Sequence, residues 1–209
     1  MKLYFNPRSR SVTIDWLLKE LDVEHEKVFI NFDNHDKHLN ELHNINPMKK
    51  LPTLVDGDIV ITETAAICAY LADKFPLKNL APEIGSAERG TYYRYMFITG
   101  NTLEPALSLE SVGMEYPDAY SVGWGDITRV LATIEQLTPE HAWILGEQFS
   151  AADIVFGGLL DFSAKFGWIT PSPKVNAYLS RLRRRPCYLQ AHPEMLEQAG
   201  GNRLVLSNA

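Results

Sequence analysis

Over the first 76 residues the apolar positions change period several times. Residues 2–5 form a short apolar and aromatic run closed by Asn6-Pro7, as expected of a buried strand. From Ser11 onward Val12, Ile14, Trp16, Leu17, Leu18 and Leu21 are spaced for a helix packed on a sheet. Residues 25–30, with Val28, Phe29 and Ile30, read as a second strand. Residues 31–46 are polar and rich in Asn, Asp and His, which suits a loop with an irregular helix. Thr53-Leu54-Val55 and Ile59-Val60-Ile61 are short strands, and Asp56-Gly57-Asp58 between them is a hairpin turn. Residues 63–74 then carry helical spacing through Ala65, Ala66, Ile67, Ala69, Tyr70 and Leu71, until Phe75-Pro76 ends it. The order is β-α-β, a loop, then β-β-α.

After Pro76 the texture changes. Residues 77–86 contain Pro82, Gly85 and few large apolar side chains, and read as a linker. Beyond them the pattern predicts helices over 87–112, 126–137, 150–168, 173–184 and 186–198, with Glu104-Pro105 placed to break or kink the first. Ser150 with Asp153 three residues on forms a capping pair, and Phe149 with Ile154 sits at the positions of a hydrophobic staple. This is a folding signal rather than a catalytic one. The expected fold class is α/β followed by all-α: an α/β unit over 1–76, a linker over 77–86 and a helical unit over 87–209.

A chain of 209 residues with 45% apolar composition can bury one large or two small cores. Its net charge of −6 argues against nucleic acid or an anionic membrane as a partner. Arg183-Arg184-Arg185 reads as a solvated helix end, where cations suit the dipole. The two cysteines, Cys68 and Cys187, have no metal-ligand spacing, and Cys68 falls in an apolar stretch that suits a buried, inert thiol. Six histidines form no H-E-x-x-H motif, so no metal is expected. The N-terminus lacks a signal-peptide run and no apolar stretch reaches membrane-spanning length, so a reducing cytoplasm is the expected compartment.

Three places hold candidate chemistry. The segment from Asn46-Pro47 through Lys50-Leu51-Pro52 enters the hairpin across a proline, leaving the backbone before Pro52 free to pair outside the sheet. Glu63-Thr64 then opens a helix whose start can receive an anion, or simply caps it. Together they suggest a pocket for a small peptide. The turn Pro7-Arg8-Ser9-Arg10-Ser11 precedes the first helix, where a hydroxyl, two arginines and a helix start suit a thiolate or a phosphate. Ser9 or Ser11 can equally be no more than an N-cap.

In their joint order these motifs resemble a cytosolic glutathione transferase of bacterial type, over nearly the whole chain. The motifs are Leu3-Tyr4 through Ser11, Asn46-Pro47, Lys50-Leu51-Pro52, Glu63-Thr64 with Ala66-Ile67 and Tyr70-Leu71, Phe149 through Ile154, and Arg185-Pro186. The resemblance implies a thioredoxin-like β-α-β-α-β-β-α domain and a helical domain, with glutathione as co-substrate, a small apolar electrophile as the second substrate, and a homodimer. It implies a cis Leu51-Pro52 bond, with Leu51 pairing the cysteinyl backbone. It gives the γ-glutamyl ammonium to Glu63, the γ-glutamyl carboxylate to Thr64, and the glycine carboxylate to Lys50 or His38. The catalytic position stays open among Ser9, Ser11, Arg10 and Tyr4. Arg10 stands where cysteine-type members carry cysteine, so the pattern is serine-type and weighs against disulfide chemistry. The implied activity is attack of glutathione thiolate on the electrophile. A non-catalytic binding protein, or a glutathione-dependent reductase or isomerase, would share the fold. Candidates for the electrophile site are Tyr95, Glu104, Tyr116 and Tyr120, together with Tyr92, Tyr93, Met96, Phe97, Met114 and Trp124. Phe162, Phe166 and Trp168 are expected in the core.

Overall fold

The computed structural model describes residues 1–32 and 37–193, without the side chains of Lys37 and His38. Four strands, β1 (Lys2–Phe5), β2 (Glu26–Phe29), β3 (Thr53–Asp56) and β4 (Ile59–Thr62), form one sheet in the order β2-β1-β3-β4. β1 runs parallel to β2 and antiparallel to β3, and β3 pairs antiparallel with β4. Side chains alternate across the strands. Leu3 and Leu54, opposite each other, join the core beneath α1 (Ser11–Glu20) and α3 (Thr64–Lys74). Tyr4 and Val28 point to the other face, where they meet Leu42 of α2 (Lys37–Ile45). The polar stretch expected as a loop with an irregular helix thus contains a nine-residue α-helix, because Leu39, Leu42 and Ile45 give it one apolar side.

The helical part comprises α4 (Ala87–Ile98), α5 (Glu104–Ser111), α6 (Ile127–Leu137), α7 (Ala151–Lys165), α8 (Pro173–Arg183) and α9 (Pro186–Ala191). The stretch expected as one helix over 87–112 is two helices joined by a wide π-type turn, Thr99–Leu103. Pro105 is the reason: it has no N–H to give, and its ring would strike the carbonyl of Asn101 in an unbroken α-helix. The Glu104 N–H instead reaches back five residues to the Thr99 carbonyl. The last helix, expected over 186–198, runs over Pro186–Ala191, and residues beyond 193 lie outside the described part.

α7 is the centre of the molecule. It packs against α1, α3, α4 and α8, and eleven of its fifteen residues are buried, as befits a helix apolar on nearly every side. Gly157 admits α8 at close range, since a Cβ there would lie 2.2 Å from Leu182 Cδ1. At the helix start Asp153 is fully buried and receives four hydrogen bonds. The Ser150 N–H and hydroxyl donate to Oδ2 at 3.0 and 3.1 Å. The Ile144 N–H and the Tyr178 hydroxyl donate to Oδ1 at 2.9 and 3.0 Å. Phe149, the outer half of the expected staple, is buried beside Trp16 and Trp143. The arginine run does more than cover a helix end. Arg183 pairs with Asp161 of α7 at 2.6 Å, and Arg185 holds both oxygens of Glu20 on α1 at 2.7 Å while stacking on Phe149.

Burial pushes the Asp153 carboxyl up to about 6, with the four donors acting in the opposite sense. The folded chain therefore keeps this proton to higher pH than the unfolded chain. The group's contribution to stability is full below the unfolded value of 3.8 and declines until about pH 6. Asp153→Ala is expected to cost about 3 kcal/mol in urea unfolding, since it removes the cap and strands buried donors. Asp153→Asn is expected to flatten the stability profile between pH 4 and 6; an unchanged profile would show that Asp153 does not titrate there.

Candidate active site

Two buried asparagines, each followed by proline, build the turns beside the sheet. The Asn6 side chain donates to the Ile30 carbonyl at 2.8 Å and accepts from the Arg8 N–H at 2.8 Å. Asn46 repeats the device: it accepts from the Met48 N–H at 3.0 Å and donates to the Lys50 carbonyl and the Thr53 hydroxyl, both at 2.8 Å. The second turn delivers Leu51-Pro52, whose peptide bond is cis as the resemblance implied. Leu51 lies two residues before Thr53, where pairing with both β1 and β4 begins.

Neither the α1 nor the α3 start has a side-chain cap on its N-cap residue, but the two differ in how their first N–H groups are used. In α1 the first N–H groups are already used: Ser11 donates to Ser9 Oγ at 3.2 Å, Val12 to the Ser9 carbonyl at 3.3 Å, and Thr13 to the Arg10 carbonyl at 3.0 Å. In α3 no side chain caps the helix, whose start follows Glu63 at φ 69°, ψ 121°. A positive φ is uncommon for a residue with a Cβ and is held only by its surroundings. The N–H groups that open α3 are therefore the ones placed to receive an anion.

This open start faces a cavity of about 560 Å³ shared by both halves of the chain. Arg10, Thr13, Glu63, Thr64, Ala65 and Ala66 line it from the α/β side. The wide turn and α5 contribute Thr99, Gly100, Asn101, Glu104, Pro105 and Ser108. Met96 and Phe97 of α4 and Val155 and Leu159 of α7 supply apolar wall. Arg10 reaches across to Glu104, with Nε and Nη2 donating to Oε1 at 3.0 and 2.9 Å. Its guanidinium lies 3.8 Å from the centre of the Phe162 ring. Burial lowers the Arg10 pKa and the Glu104 carboxylate raises it in part; arginine stays charged at neutral pH.

The predicted residues divide accordingly. Glu63, Thr64, Arg10 and Glu104 meet in this cavity. Leu51 and the buried Pro52 stand outside its lining, and Lys50 is exposed. The His38 side chain lies outside the described residues. Ser9 and Ser11 share a hydrogen bond of 2.7 Å, and both reach the Asn6 carbonyl, at 2.8 and 3.0 Å. Ser11 is fully buried, and Ser9 borders a second crevice of about 50 Å³, which Arg10 and Thr13 also line. Tyr4 faces α2 rather than the cavity and donates to Glu41 at 2.5 Å; burial first, then that carboxylate, raises its pKa.

Among the electrophile-site candidates, Tyr95 belongs to the core, with its hydroxyl on the Leu137 carbonyl at 2.7 Å. Tyr116 lines another crevice, of about 140 Å³, with Trp124. Tyr120 is exposed beside Arg129. Of the aromatics expected in the core, Phe166 is exposed and Phe162 carries Arg10. Sequence reading missed Val155 and Leu159 as cavity residues and Phe162 as the ring under Arg10, although their spacing places them along one face of α7.

The N-terminal domain model of glutathione S-transferases matches residues 1–73, and the C-terminal domain model matches residues 118–186. The chain belongs to the glutathione S-transferase superfamily. Its α/β half is the thioredoxin-like domain of that fold and its second half the helical domain. A bacterial glutathione S-transferase, BphK, solved as a ternary complex, superposes with a TM-score of 0.75 at 28% identity, over 93% of this chain and 98% of that one. A sphingomonad glutathione S-transferase complexed with glutathione superposes at 0.72 with 25% identity, over 93% and 98% of the two chains. A maleylacetoacetate isomerase of Dictyostelium discoideum is 28% identical over 84% of each chain. Among the described residues, no helix of this glutathione S-transferase superfamily member is long and apolar enough to cross a membrane, and no three or more His, Cys, Asp or Glu side chains are grouped to hold a metal ion.

The strained backbone at Glu63 can be tested without a ligand. Glu63→Gly is expected to exceed Glu63→Ala in stability by about 1 kcal/mol, because both lose the carboxylate and only glycine relieves the positive φ. Equal urea midpoints for the two variants would mean that the conformation is unstrained.

Proposed function

We propose that the chain binds reduced glutathione across residues 1–76 and directs its thiolate at a small, apolar electrophile held by residues 87–209. The observation that carries this reading is the uncapped start of α3, with Glu63 and Thr64 opening on a cavity walled by both halves of the chain. Thr64 and the neighbouring N–H groups suit the γ-glutamyl carboxylate, and Glu63 suits its ammonium. Leu51, just outside the sheet register, offers its backbone to the cysteinyl part as an added strand would. Lys50 and His38 remain the proposed partners of the glycine carboxylate. A homodimer is proposed on the strength of the family.

In this reading sulfur forms the new bond to carbon. A leaving group departs with its electron pair, or an addition is completed by a proton from water. The protein's task is to favour thiolate over thiol, which a nearby cation does by lowering the thiol pKa. Arg10 lines the cavity, whereas the Ser9 hydroxyl would have to give up its bond to Asn6 or Ser11. We therefore place Arg10 ahead of Ser9, Ser11 and Tyr4, which keeps the site distinct from the cysteine type. An isomerase would begin with the same thiolate attack and end by releasing glutathione unchanged. The isomerase relative favours testing that outcome.

Calorimetry on the intact chain is expected to show glutathione binding at millimolar concentration or below, and its absence would end the proposal. Thiolate absorbance of the complex as a function of pH is expected to shift upward by about one pH unit in Arg10→Ala, with a rate loss of about tenfold or more. Ser9→Ala is expected to change the rate less than threefold. The reverse order would return the role to Ser9. Product analysis then separates the reactions: a stable conjugate marks a transferase, and regenerated glutathione marks an isomerase.

A further inference from the structure

Arg10 is the single cation among the described residues that line the large cavity; Glu104 engages two of its nitrogens, and Nη1 is buried without a hydrogen-bond partner. Glu104 takes two hydrogen bonds from it, at 3.0 and 2.9 Å, while Phe162 covers one face of the guanidinium. Glu104 is itself placed by the wide turn before Pro105. The remaining carboxylate in the lining, Glu63, stands at the opposite, α3 end. Between them the wall is neutral: Met96, Phe97, Val155 and Leu159 are apolar, and Asn101 and Ser108 are polar without charge.

We infer that Glu104 determines the charge class of the electrophile, by occupying Nε and Nη2 of Arg10 and setting a carboxylate beside them, and so admits uncharged compounds in preference to carboxylates. This rests on the proposed glutathione site. Without Glu104, a carboxylate-bearing electrophile would meet Arg10 directly, in the two-pronged geometry that guanidinium offers to carboxylates. With Glu104 present, the same compound finds Nε and Nη2 of Arg10 occupied and a like charge beside them. The neutral compound loses nothing by the pairing.

The test uses conjugates as probes, so it does not depend on turnover. S-hexylglutathione and S-(5-carboxypentyl)glutathione share the glutathione part and differ in the charge of the tail. Titration calorimetry on the intact chain is expected to show tighter binding of the hexyl conjugate. Glu104→Gln keeps the amide oxygen as an acceptor for Arg10 and removes the charge. It is expected to shift the affinity ratio at least tenfold toward the carboxylated conjugate. Arg10→Met is expected to shift the ratio in the opposite direction. A ratio that moves less than threefold in Glu104→Gln, with glutathione still bound, overturns the inference and leaves the glutathione site standing. Failure of the unaltered chain to bind glutathione and both conjugates overturns the two together.

Discussion

One buried carboxylate organises the helical half and, through it, the cavity. Asp153 gathers the start of α7, the chain before it at Ile144, and α8 at Tyr178. A charged group so deeply buried is tolerable only when its lone pairs are occupied, and here four donors occupy them. The helix it anchors supplies Val155 and Leu159 to the cavity wall and Phe162 beneath Arg10. A residue outside the cavity lining thus fixes where Val155, Leu159 and Phe162 stand.

The α/β half solves a different problem, delivering backbone groups rather than side chains. Asn6 and Asn46 spend their amides on neighbouring turns, and each turn hands the chain to its next element in a fixed direction. At α1 the serine hydroxyls are consumed in closing the turn. At α3 the corresponding donors are left open and the backbone before them is strained. This division leaves the N–H groups that open α3 without a side-chain cap and makes Arg10, just before α1, the cationic side chain in the cavity lining.

Much of this was legible in sequence, and the reasons are local. Strand and helix order followed from period, the hairpin from Asp56-Gly57-Asp58, and the start of α7 from Ser150 and Asp153. The turn at Leu51-Pro52 and the helix start at Glu63-Thr64 were readable because proline and helix-start chemistry act within a few residues. The cavity's second wall was not legible in that way. Tyr95 and Phe162 are both aromatic residues at helical positions, yet one binds the Leu137 carbonyl in the core and the other supports Arg10. Which face of a helix meets which neighbour depends on packing between elements far apart in the chain. The pairing of Arg10 with Glu104 spans 94 residues and has no local signature.

The wide turn at Thr99–Leu103 carries a consequence for how this region can change. A π-type turn holds one more residue than an α-turn, so it works as a phase shift between α4 and α5. Wound as an unbroken α-helix, which Pro105 prevents, the same residues would present everything beyond the turn rotated by about 100°. Glu104, Pro105 and Ser108 would swing away from the cavity together, and Arg10 would lose its partner with no side chain exchanged. At this point the winding of the backbone, as much as residue identity, decides which groups face the cavity.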